Sequence, residues 1–160
     1  MTGEFVINGE TRTLEFDGAD TLLDLLRANG YTEVKQGCAH GECGSCMVLL
    51  DGKPVNSCQV YAATATSLAI TTSRGLTVDG SPHVIHQAWA DSGAVQCGFC
   101  TPGMVVATYA LLESNPNPSD EEIAVALSGN ICRCTGYVKT FDAVHQAARW
   151  IAEHHEKGGA

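Results

Sequence analysis

Eight cysteines carry most of the chemistry open to this chain of 160 residues: Cys38, Cys43, Cys46, Cys58, Cys97, Cys100, Cys132 and Cys134. The first three stand in the stretch GCAHGECGSC with four and then two residues between them, and Cys58 follows twelve positions after Cys46. A C-x4-C-x2-C run with a distant fourth cysteine is the plant-type 2Fe–2S spacing. Four thiolates must converge on two irons bridged by two sulfides, so a loop wraps the cluster and a fourth ligand arrives from elsewhere in the domain. Gly37, Gly41 and Gly44 interleave the cysteines. Their backbone freedom lets the loop bring N–H groups close to sulfur, which offsets the cluster's negative charge. A four-cysteine zinc site is the rival reading, although zinc prefers a C-x2-C knuckle at both ends.

The other four cysteines form one C-x2-C pair, Cys97 and Cys100, and one C-x-C pair, Cys132 and Cys134 in GNICRCTGY. Two cysteines one residue apart are hard to close on each other as a disulfide, and they are tighter than the usual zinc knuckle. Together the two pairs supply the four ligands of a second 2Fe–2S cluster. Spacing alone leaves zinc as a fair rival here. Both pairs fall between predicted helices, ahead of helix starts whose free N–H groups favour an anionic cofactor.

The balance of charge narrows the partners. Nine Lys and Arg against 18 Asp and Glu give a net charge of −9, which repels phosphate backbones and argues against nucleic acid. The N-terminal MTGEFVINGE pairs no basic region with an apolar run, and no stretch is apolar for long enough to span a bilayer. The expected location is the cytoplasm, without membrane insertion. Thiols stay reduced there, and such a cysteine set reads as metal-binding before it reads as disulfides.

The elements that must position these ligands divide the chain by texture. Residues 4–7 and 11–16 read as strands around an Asn8-Gly9 turn. Asp20 or Thr21 caps a helix through Ala28 that Gly30 stops. Strands are expected at 47–50 and 53–56, joined by Asp51-Gly52, and at 68–71. Beyond SRGLTVDG the pattern turns helical. Ser81-Pro82 and Thr101-Pro102 read as helix starts. The second helix runs to about Glu113, where SNPNPS breaks it. Ser119 to Glu122 is a capping box for a helix to about Leu127, and a last helix covers about Thr140 to His155. The expected fold class is α+β: a plant-ferredoxin-like (β-grasp) domain over residues 1–75, then an all-α four-helix-bundle domain over residues 76–160.

GCAHGECGSC, VQCGFCTPGM and GNICRCTGY, in that order, resemble the iron–sulfur (small) subunit of the molybdenum hydroxylases, nearest to the xanthine dehydrogenase branch. The resemblance runs from Phe5 to about Trp150. It implies two 2Fe–2S clusters, the one on Cys97, Cys100, Cys132 and Cys134 lying near a molybdenum–pterin cofactor and the other lying toward FAD. It implies a large molybdenum-cofactor subunit and a medium FAD subunit as partners, in a heterotrimer or its dimer, a heterohexamer. It also implies that Gln96 and Cys134 contact the pterin, for which a side-chain amide has both donor and acceptor.

The resulting expectation is the electron-transfer subunit of an oxidoreductase that does not turn over substrate alone. Xanthine or hypoxanthine is the first-choice substrate of the complex. Aldehyde, carbon monoxide and N-heterocycle dehydrogenases share much of the pattern. A free-standing 2Fe–2S carrier or redox sensor and a zinc-stabilised interaction module are the competing classes. No nucleophile–base pair, dinucleotide fingerprint or Walker loop is present, so no catalytic residue is expected. His83 and His86 read as surface or interface histidines, His154 and His155 as exposed tail residues, and His40 and Arg133 as neighbours able to tune cluster charge.

Overall fold

A computed structural model describes residues 1–157, with side chains as far as Glu153. The side chains of His154 and His155 therefore lie outside the described residues. Strands β1 (Thr2–Ile7) and β2 (Glu10–Glu15) form the expected hairpin. Phe5 and Ile7 alternate inward along β1 and are buried. Asn8 and Gly9 both take left-handed backbone, φ 52° and 83°, the geometry a two-residue hairpin turn demands.

Helix α1 (Leu22–Ala28) starts at a complete capping box, with Thr21 and Asp24 each satisfying the other's backbone N–H. It buries all four of its leucines, each worth roughly 1.5–3 kcal/mol when fully withdrawn from water. Strands β3 (Met47–Leu50) and β4 (Lys53–Asn56) pair around Asp51-Gly52. Strand β5 (Ala69–Thr71) then enters the middle of the sheet, parallel to β1 and antiparallel to β3. The order β2-β1-β5-β3-β4 with one helix packed across it is the β-grasp arrangement.

The sheet is covered on both faces at β3. Val48 joins Phe5, Ile7 and the α1 leucines in one core, whereas its neighbour Leu49 belongs to the core of the helical half. Adjacent strand residues point to opposite faces, so β3 serves both cores. Helices α2 (Val84–Asp91), α3 (Thr101–Ser114), α4 (Asp120–Leu127) and α5 (Val138–Lys157) form the second. Helix α3 is buried around most of its circumference from Gly103 to Thr108. A helix apolar on all sides is a central one: α3 touches α2, α4, β3 and β4. Among the described residues no helix is long and apolar enough to cross a membrane.

Two helix starts differ from expectation. Ser81 and Pro82 are a short strand, β7, paired with β6 (Thr77–Val78), and no helix cap. The Asp79-Gly80 turn between them is left-handed at both positions, φ 50° and 77°, so hairpin chemistry outweighs the Ser-Pro signal. The cap of α2 is His83, whose Nδ1 accepts the Ile85 N–H at 3.3 Å. Similarly Cys100, not Thr101, occupies the N-cap position of α3, with Pro102 inside the first turn. The α4 capping box of Ser119 and Glu122 forms as read, and α5 starts two residues earlier than expected.

Candidate metal centres

The first centre is built on the loop between α1 and β3. Ala39, Gly41 and Gly44 all adopt positive φ, 60°, 90° and 66°, and these reversals coil the backbone around Cys38. The N–H groups of His40, Glu42 and Cys43 donate to Cys38 Sγ at 3.5, 3.3 and 3.4 Å. Those donors, led by His40 and Cys43, hold the Cys38 thiol down at about 6. They stabilise its thiolate, the form that binds metal. Cys43 Sγ lies 3.2 Å from Ser45 Oγ, and Gln59 Nε2 reaches Cys58 Sγ at 3.5 Å. His40 therefore acts through its backbone, while its ring pairs with Glu42 at the surface.

Packing fixes the remaining two thiols. Cys46 and Cys58 are 3% and 5% exposed. Cys58 sits in a 3₁₀ turn after β4 that Ser57 ties to Cys46, its N–H and Oγ both donating to the Cys46 carbonyl. Burial pushes the Cys46 thiol up to about 11, which favours its neutral form in the metal-free chain. A Cβ on Gly37 would press on Cys43 Sγ and Ser45 Oγ, which explains glycine there.

The second centre gathers Cys97 and Cys100 from the α2–α3 connection with Cys132 and Cys134 from the α4–α5 connection. All four line one cavity of about 200 Å³, together with Gly37, Cys43, Ser45, Phe99, Ile131 and Arg133. Cys100 and Cys132 are buried; Cys97 and Cys134 are exposed. Burial pushes the Cys100 thiol up to about 12, with Cys132 adding to the shift. Thr135 Oγ1 donates to Cys132 Sγ at 3.2 Å.

In both centres the thiols stand in neighbouring pairs: Cys38 with Cys43, Cys46 with Cys58, Cys100 with Cys132, and Cys97 with Cys134. Among the described residues no three Cys, His, Asp or Glu side chains gather as a single metal ion requires. Every cysteine is free.

The two centres abut. Ile131 N–H donates to the Cys43 carbonyl at 2.9 Å, and buried Asn130 donates from Nδ2 to the Gly44 carbonyl at 3.1 Å. A Cβ on Gly103 at the start of α3 would overlap that same Gly44 carbonyl. Spacing alone gave no sign of this junction. Gln96 is exposed beside Cys97 and makes no hydrogen bond among the described residues, with Val95 and Phe99 exposed around it. His83 stacks edge-on against Tyr109, and burial lowers the pKa of both His83 and His86.

Comparison with known proteins agrees with this geometry. Residues 5–66 match the family described as "2Fe-2S iron-sulfur cluster binding domain", and residues 72–145 the family described as "[2Fe-2S] binding domain". The nicotinate dehydrogenase small FeS subunit of Eubacterium barkeri is 49% identical over 148 residues, 92% of each chain. The xanthine dehydrogenase iron-sulfur-binding subunit of Escherichia coli O157:H7 is 46% identical over 140 residues, 86% of this chain and 87% of that one. In a crystal structure of quinoline 2-oxidoreductase from Pseudomonas putida 86, one chain superposes with a TM-score of 0.91 at 38% identity, covering 100% of this chain and 98% of that one. With its two 2Fe–2S-binding folds in this order, the chain belongs to the family of molybdenum hydroxylase iron–sulfur subunits.

Proposed function

We propose that this chain conducts single electrons from a molybdenum–pterin centre in a large partner subunit to FAD in a medium one. Cys97, Cys100, Cys132 and Cys134 would hold the 2Fe–2S cluster that receives them, and Cys38, Cys43, Cys46 and Cys58 the one that passes them on. The observation that carries this reading is the shared wall between the centres: Cys43 lines the cavity of the second while belonging to the first. When bound, the clusters supply one-electron acceptor chemistry, and the protein supplies placement and tuning. In this reading Cys38 and Cys43 would share one iron and Cys46 and Cys58 the other, with Cys100 beside Cys132 and Cys97 beside Cys134 in the second site.

The exposed thiols Cys97 and Cys134, with Gln96 and the apolar Val95, Phe99 and Ile131, form the face for the large subunit. Gln96 offers an unengaged amide to the pterin edge, and Cys134 is the ligand at that end. The relatives named above act on nicotinate, xanthine and quinoline, all nitrogen heteroaromatic rings. That class, purines included, is the proposed substrate of the complex. Its location is cytoplasmic, consistent with eight reduced thiols, and its assembly is a heterotrimer or the dimer of one.

The test is direct. The purified chain should be coloured and hold about four irons and four sulfides. A colourless protein with zinc would overturn the reading. Turnover of the assembled complex on purines, pyridine carboxylates and aldehydes assigns the substrate. Gln96→Ala should slow substrate-driven cluster reduction and leave dithionite reduction unchanged.

A further inference from the structure

We propose that Thr135 and Tyr137 are positioning residues that raise the reduction potential of the second site by holding a hydroxyl donor on Cys132. The proposal rests on the reading of Cys97, Cys100, Cys132 and Cys134 as ligands of a 2Fe–2S cluster. Three hydrogen bonds close a ring within six residues. Cys132 N–H donates to the Tyr137 hydroxyl at 2.8 Å, Tyr137 N–H donates to Thr135 Oγ1 at 3.3 Å, and Thr135 O–H donates to Cys132 Sγ at 3.2 Å.

Each bond fixes the next. A hydroxyl has one proton and two lone pairs. With Tyr137 N–H on one lone pair, the Thr135 proton is left to point at sulfur. A cysteine bound to iron is a thiolate, which only accepts, so the direction of this bond is set by chemistry.

The ring is held in strained backbone. Gly136 and Tyr137 are both left-handed, φ 65° and 69°. A bulky aromatic residue rarely adopts that conformation, and such outliers persist where the surroundings over-determine them. Here the reversal turns the Tyr137 N–H back toward Thr135. The Tyr137 carbonyl meanwhile accepts the N–H groups of Thr140 and Phe141 in the first turn of α5, and its ring packs on the helical core.

A reduced cluster carries one more negative charge, so a donor on a ligand sulfur stabilises it over the oxidised form and raises its potential. The thiolate concerned is next in sequence to Ile131, whose N–H reaches Cys43. The relay therefore acts on a ligand one residue from the hydrogen bond that joins the two sites.

The experiment is an EPR-monitored redox titration of the iron-loaded chain and its variants. The first site serves as internal reference. Thr135→Val keeps the shape and loses the donor. At the wild-type midpoint, the ratio of reduced to oxidised second site should fall about tenfold, a negative shift of about 59 mV for one electron. Thr135→Ser should titrate with the wild type. Tyr137→Phe, which frees the Cys132 N–H but retains Thr135, should shift the second site alone and change its EPR line shape. It carries the test if Thr135→Val does not retain iron. Two wild-type signals with the second site unmoved in these variants would overturn the proposal alone. A wild-type chain with a single 2Fe–2S signal would overturn the cluster reading and the proposal with it.

Discussion

Ile131 donates its backbone N–H to the carbonyl of Cys43 at 2.9 Å, so one hydrogen bond joins a residue covalently next to Cys132 with a cysteine of the other centre. Its side chain is 55% exposed and lines the second cavity, so only its backbone makes this bond. Ile131→Ala keeps the N–H and, in chains that assemble, should retain electron exchange between the two sites. Ile131→Pro, which lacks the N–H, should slow it several-fold. Rapid-freeze EPR after reduction by substrate in the assembled complex separates the two.

The tightest joint between the halves is glycine against glycine. An added Cβ at position 103 overlaps backbone, which cannot rotate away. Gly103→Ala should destabilise the iron-loaded chain by at least the roughly 1–3 kcal/mol of ordinary overpacking. Asn130→Ala leaves the Gly44 carbonyl without its buried donor and should cost about 1–3 kcal/mol. Denaturant unfolding of the holo chain checks both.

Hydrogen bonds to sulfur are unequally shared. Cys38 takes three from backbone N–H groups, Ser45 lies against Cys43, and Gln59 reaches Cys58. The second centre has the Thr135 hydroxyl on Cys132. More donors favour the reduced cluster, so the first site should titrate at the higher potential and electrons should run downhill toward it. A redox titration in which the site lost by Cys58→Ser is the lower one would contradict this.

In the metal-free chain the thiols should differ in reactivity. Cys38 is lowered to about 6 by the N–H groups around it, whereas Cys46 and Cys100 are raised to about 11 and about 12 by burial. At pH 7.5 Cys38 is mostly thiolate and should be alkylated well before the other two. Its rate should fall as pH drops through about 6. Mass spectrometry of iodoacetamide-treated apo protein reads the order, and iron loading should abolish it.

Much of this was legible in the chain. The Thr21 and Ser119 caps, the Asn8-Gly9 and Asp51-Gly52 turns and the strands at 47–50 and 53–56 follow from local chemistry, and local chemistry is what a sequence displays. Ser81-Pro82 misled because two local signals competed, and the adjoining Asp79-Gly80 turn was the stronger. The contacts of Gly103 and Asn130 with Gly44 were not legible, because they join residues 59 and 86 positions apart. Nor was Leu49's place in the helical core, since alternation says that a face is buried but not by what. The ring from Cys132 through Tyr137 was hidden for another reason: it depends on a left-handed tyrosine, which no sequence rule anticipates.

Leu49 also has a bearing on how the chain is made. The sheet leaves the ribosome first, with one face still waiting for α3, which is synthesised roughly 60 residues after β3. At about 5–20 residues per second, that apolar face stays uncovered for several seconds. During the same interval the cysteine loop is not yet closed in by Gly103 and Asn130. Nascent chains thus have a short period in which the Leu49 face and the cysteine loop lack the residues that cover them, and slower translation should lengthen it.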